Sequence, residues 1–84
     1  MQDRPATVER LVMLMRDVAS LELPPDFPLG GLTELRNIPV NSRTMRTFLV
    51  AVEDTLDHEW DIDTPEEVFH SFESLAAYLV AAHT

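Results

Sequence analysis

Ile38-Pro39-Val40-Asn41-Ser42-Arg43-Thr44-Met45-Arg46-Thr47-Phe48-Leu49-Val50-Ala51-Val52-Glu53-Asp54-Thr55-Leu56 is the stretch on which the fold turns. Met45, Phe48, Leu49, Val52 and Leu56 follow the spacing of one helical face. The spacing predicts a helix from Ser42 to about Leu56. Asn41 is placed to cap it, because its side-chain oxygen can accept a backbone N–H of the first turn.

Upstream, Pro24, Pro25, Pro28, Gly30, Gly31 and Pro39 interrupt residues 21–40, so no long regular element persists there. A connection of that length in a small domain is uncommon and tends to be functional or packed by its own side chains. Phe27, Leu29, Leu32, Leu35, Ile38 and Val40 argue that it folds over the core, with a short helical turn around 32–36. Before it, Val8, Leu11, Val12, Met15, Val18 and Ala19 predict a first helix from about Pro5 to Ser20. Pro5 suits its first turn, where a missing N–H costs nothing.

Downstream, Thr64-Pro65-Glu66-Glu67 combines a capping threonine, a proline at the first position and a glutamate for a capping box. This predicts a short third helix over about 65–69. Phe72, Leu75, Ala76 and Leu79 predict a fourth helix over about 72–82, with Tyr78 and Val80 at its margins. No segment alternates as a strand would, and no repeat is visible. The expectation is one all-α domain over 1–84, with three longer helices, a short third helix and a long loop between the first two.

Charge is unevenly placed. In residues 1–46, Asp3, Glu9, Asp17, Glu22, Asp26 and Glu34 are balanced by Arg4, Arg10, Arg16, Arg36, Arg43 and Arg46. Residues 47–84 contain no Arg or Lys, so the net charge of −9 lies in that half. Such a surface repels nucleic-acid phosphates and anionic membranes, and it attracts basic protein surfaces. The apolar run Leu11–Met15 is far too short to span a bilayer, and the N-terminus does not read as a signal peptide. The chain has no cysteine, which excludes disulfides and cysteine nucleophiles and fits a cytoplasmic location.

No constellation of catalytic residues is visible, so an enzyme is the least expected reading. Read as a calcium loop from Asp57, the acidic run places Ile62 where glycine is required and Val68 where a bidentate glutamate is required. His58, His70 and His83 lack zinc-ligand spacing. No metal site is expected.

The order long helix, long loop, long helix, short helix, final helix resembles the acyl carrier protein family. Ile38-Pro39-Val40-Asn41-Ser42-Arg43 is similar to that family's loop end and Asp-Ser-Leu motif. Phe48-Leu49-Val50-Ala51-Val52-Glu53-Asp54 is similar to its apolar run followed by paired acids. Leu56-Asp57-His58-Glu59-Trp60-Asp61-Ile62 resembles the approach to the short helix, and Ser71-Phe72-Glu73-Ser74-Leu75-Ala76-Ala77-Tyr78-Leu79 the last helix. The resemblance covers residues 5–82, most weakly before Leu32.

It implies a four-helix bundle of acyl-carrier type and a non-catalytic carrier; a chain that begins at Met1 and ends just past its last expected helix is expected to be free-standing. Ser42 would receive a covalent 4'-phosphopantetheine arm, beside the cap Asn41, and hold acyl or aminoacyl intermediates as thioesters. A helix start, with free N–H groups and a positive dipole end, favours an attached phosphate. Taken alone, however, a serine at a helix start is far more often a cap than a modified residue. The implied partners are a phosphopantetheinyl transferase, an acyltransferase or acyl-activating enzyme, and a downstream synthase, with the carrier a monomer when free.

Two positions depart from the family motif: Asn41 stands for aspartate and Arg43 for an apolar residue. Arg43 and Arg46 together make the start of the second helix basic. This points to a dedicated partner set in polyketide or related specialised-metabolite biosynthesis. Arg43, Arg46, Glu53, Asp54 and Asp57 are the candidate docking residues, and Phe48, Val52, Trp60 and Val68 the candidate lining of an acyl pocket. The alternatives are an aminoacyl carrier of nonribosomal peptide assembly and a carrier-like docking module without the arm.

Overall fold

The computed structural model describes residues 3–82; His83 lies outside them. Its helices are α1 (Arg4–Val18), α2 (Ser42–Leu56) and α3 (Phe72–Ala82), with 3-10 turns at Leu35–Asn37 and Glu66–Phe69. Among the described residues there is no strand, only an isolated antiparallel bridge between Glu34 and Ser71. None of the helices is long and apolar enough to cross a membrane.

Helix α1 starts one residue before the expected position because Asp3 caps it, accepting the Ala6 N–H at 2.8 Å. It ends at Val18 rather than Ser20. Ala19 leaves helical geometry, and its carbonyl takes the N–H groups of Glu22 and Leu23, turning the chain before Pro24. Helix α2 has the expected bounds.

The expected short third helix is a single 3-10 turn, and Thr64 does not cap it. Pro65 holds ψ at 144°, so the turn begins only at Glu66 and the Thr64 hydroxyl lies too far back to reach its N–H groups. That hydroxyl is buried without a hydrogen-bond partner among the described residues. The i to i+3 bonds Val68 N–H to Pro65 O and His70 N–H to Glu67 O define the turn. Helix α3 has a reciprocal cap that the sequence reading did not single out. Ser71 Oγ accepts the Ser74 N–H at 3.1 Å, and Ser74 Oγ accepts the Ser71 N–H at 2.9 Å.

The core is where three apolar stripes meet: Leu11 and Met15 of α1, Phe48, Val52 and Leu56 of α2, and Phe72, Leu75, Ala76 and Leu79 of α3. Helix α1 packs chiefly on α3 and also on α2. Phe48 and Phe72 meet edge to face at 6.1 Å. Thr7 is fully buried in α1, its hydroxyl donating to the Asp3 carbonyl at 2.8 Å.

The long loop does fold over this core. Leu23, Leu35 and Ile38 are buried, and Phe27, Leu29 and Val40 half-buried, whereas Leu32 faces solvent. Its helical turn sits at 35–37, slightly later than the expected 32–36. Arg16 pins the loop by donating to the carbonyls of Phe27 at 2.8 Å and Pro25 at 3.3 Å. The Glu34 carboxylate gathers Asn37, Arg36 and His70, and the Leu35 N–H donates to the His70 carbonyl. This clasp ties the approach to α2 to the approach to α3.

Candidate functional site at the start of α2

Ser42 is the first residue of α2 and is solvent-exposed. Asn41 caps the helix as expected, its Oδ1 accepting the Thr44 N–H at 2.8 Å. The Asn41 carbonyl takes the Met45 N–H at 3.1 Å. The N–H groups of Ser42 and Arg43 find no acceptor among the described residues and point out of the helix end.

A residue the sequence reading did not single out completes this end. Glu22, 19 residues before the cap, accepts the Asn41 N–H at 2.9 Å, and its other carboxylate oxygen takes the Thr44 hydroxyl. A carboxylate at a helix N-terminus is electrostatically favourable. Here it also fastens the loop to the site. Nothing in the local sequence marks Glu22, because its partners are tertiary neighbours.

Arg43 and Arg46 are both exposed, with no ion pair among the described residues. Arg46 lies one turn beyond Ser42 on the same side of the helix, whereas Arg43, the next residue, points about 100° away. At the far end Asp54 is exposed, with no ion pair among the described residues. Glu53 is half-buried and engaged, accepting the Trp60 backbone N–H at 3.1 Å. Asp57 is the C-cap and the one described non-glycine residue with positive φ.

The charges of α2 therefore run against its dipole. Arginines occupy the positive end, and Glu53, Asp54 and Asp57 the negative end, with no basic residue in the last turn. In the first and last turns each such placement is unfavourable by about 0.3–1 kcal/mol. Helix stability does not account for this arrangement. The exposed Val50 lies midway between the two charged ends.

Of the candidate pocket residues, Phe48 and Val52 are fully buried in the core and Val68 nearly so. Trp60 is half-buried in an aromatic cluster with His58, Phe69 and Tyr78, and its indole N–H donates to the Leu49 carbonyl at 3.0 Å. A cavity of about 230 Å³ opens beside them, lined by Leu35, Arg36, Met45, Leu49 and Phe69. It lies between the two 3-10 turns and the side of α2 that carries Ser42. A more polar depression beyond it shares Arg36 and Phe69 and adds Glu66, Glu67 and His70. The larger groove along α1, about 640 Å³ around Met13 and Leu14, does not touch the start of α2. Among the described residues no group of three or more His, Asp or Glu could hold a metal ion.

Compared with protein-family models, curated proteins and solved structures, the chain finds no match.

Proposed function

We propose that this chain is an acyl carrier of the four-helix carrier type, its third helix reduced to the 3-10 turn at Glu66–Phe69. Ser42 is the attachment point for a 4'-phosphopantetheine arm. The observation that carries this reading is Ser42 itself: an exposed residue at the first position of a well-capped helix, flanked by N–H groups and an arginine that have no partner among the described residues. That donor set fits a phosphodiester.

When attached, the arm supplies a thiol that carries acyl cargo as a thioester. The chain's own residues present and shelter. Asn41 fixes the helix start, so the Ser42 hydroxyl faces outward toward a transferase. Leu35, Met45, Leu49 and Phe69 offer an apolar wall for part of the cargo. Arg43, Val50 and Asp54 lie on one exposed stripe and read the partner, with basic contacts near the arm and acidic ones at the far end. Glu53 and Asp57 support that end, Glu53 while holding Trp60. The chain does no bond-making itself: an acyltransferase or acyl-activating enzyme loads the arm, and the cargo passes to a downstream synthase of specialised-metabolite assembly.

A docking module without an arm is the second reading. The reversed charge pattern of α2 favours it, since that pattern serves recognition whether or not Ser42 is modified. Intact-protein mass spectrometry after incubation with coenzyme A and a broad-specificity phosphopantetheinyl transferase decides between them. The expected result is a gain of one phosphopantetheinyl group, absent in Ser42→Ala. No gain in a chain shown to be folded refutes the carrier reading and leaves the docking module.

A further inference from the structure

The two flanks of Ser42 carry opposite charge. Arg46, four residues on, stands beside Ser42 on the same side of α2; side chains at that spacing lie roughly 5–6 Å apart at Cβ. Its guanidinium is exposed and free of any ion pair among the described residues. Thr44, two residues on from Ser42, points to the other side of the helix. There its hydroxyl and the Asn41 N–H hold the Glu22 carboxylate. A group on Ser42 thus has a cation along one direction and a fixed anion along the other.

We infer that Arg46 holds the phosphodiester carried by Ser42, and that Glu22 repels it from the opposite flank, so the arm is laid along the Arg46–Leu49 side of α2. This rests on the carrier reading above and adds to it a direction for the arm and two residues that set it. Arg46 and the open N–H groups of Ser42 and Arg43 supply donors of the kind a phosphodiester accepts. Glu22 cannot turn aside, because both of its oxygens are engaged. The favoured direction leads toward the cavity bounded by Met45, Leu49 and Phe69. The start of α2 is basic here because its arginine serves the arm as well as the partner.

The chain has no cysteine, so the arm's thiol is the only thiol in the loaded protein. A nitroxide attached there broadens the amide resonances near the arm. Loading is confirmed by mass in every sample. In the parent, broadening falls on Arg46, Leu49 and Phe69 more than on Thr47, Val50 and Asp54, and the Arg46 Nε–Hε resonance shifts on loading. Arg46→Gln and Glu22→Gln each reduce that bias roughly twofold to fivefold, the range an exposed charge pair supplies. Arg46→Lys retains most of it, and high salt abolishes it in the parent. A parent that loads but shows an unbiased pattern, or a bias indifferent to both substitutions and to salt, overturns the inference while leaving the carrier reading intact. A parent that gains no arm overturns both.

Discussion

Asp57 ends α2 at φ 51° and ψ 52°, in the left-handed region. For an L-residue that conformation costs about 1–2 kcal/mol, somewhat less for aspartate, whose side chain tolerates it. Asp57 also sets a negative charge on the negative end of the helix dipole, unfavourable by about 0.3–1 kcal/mol. Asp57→Gly removes both penalties. Against that stands the greater chain entropy of glycine in the unfolded state, about 0.5–1 kcal/mol. The balance is a stabilisation of about 1 kcal/mol, or roughly 4–8 °C in Tm for a domain of this size.

Two further variants separate the causes. Asp57→Asn keeps the tolerance for positive φ and sheds the charge, so it gains only the dipole part. Asp57→Ala sheds the charge but bears the full backbone penalty, so it is the least stable of the set. Urea unfolding followed by circular dichroism at 222 nm, with the single Trp60 as a second probe, gives the order Gly, Asn, Asp, Ala. In 1 M salt the advantage of Asn over Asp shrinks, while the gap between Gly and Ala persists. If Ala matched or exceeded Gly, the left-handed cap would be refuted. If Asn merely equalled Asp at low salt, the charge argument for the C-terminal end of α2 would fail.

Two other outcomes are expected. Thr64→Val replaces a buried hydroxyl that has no partner with a methyl group of similar shape; it raises stability by about 1 kcal/mol in the same urea assay, and a loss would show that the hydroxyl is satisfied. The pair Arg43→Glu and Asp54→Lys aligns α2 with its own dipole and adds about 1 kcal/mol in total, while slowing arm attachment by the transferase at low salt; unchanged loading rates would separate the charge pattern from docking.

Much of the fold was legible because a short helical chain announces its helices by period and punctuation. The apolar spacing of Met45 to Leu56, the cap at Asn41 and the proline-rich interruption from Pro24 to Pro39 fixed α2 and the loop, since these signals are local. The same locality misled at Thr64-Pro65-Glu66-Glu67. The cap signals were present, but four residues form only one turn, and the backbone angle of Pro65 moved its start beyond the reach of Thr64. Helix α3 took its cap from a Ser71–Ser74 exchange instead.

At the candidate site the division is sharper. Ser42, Asn41 and the two arginines stand out in the sequence because a helix start is a short-range object. Glu22 does not, because the bonds that bring it to Asn41 and Thr44 exist only once the loop has folded back over the core. The cavity shows the same division. From sequence, Phe48 and Val52 were as eligible to line it as Met45 and Leu49, all four belonging to one apolar stripe. Packing against α1 and α3 consumed the centre of that stripe and left its edge, with Leu35 and Phe69, to border open space. The sequence determined which faces of each helix are apolar, since that is a matter of period. Only the tertiary structure decided which part of each face is buried and which remains accessible, because that depends on what packs opposite.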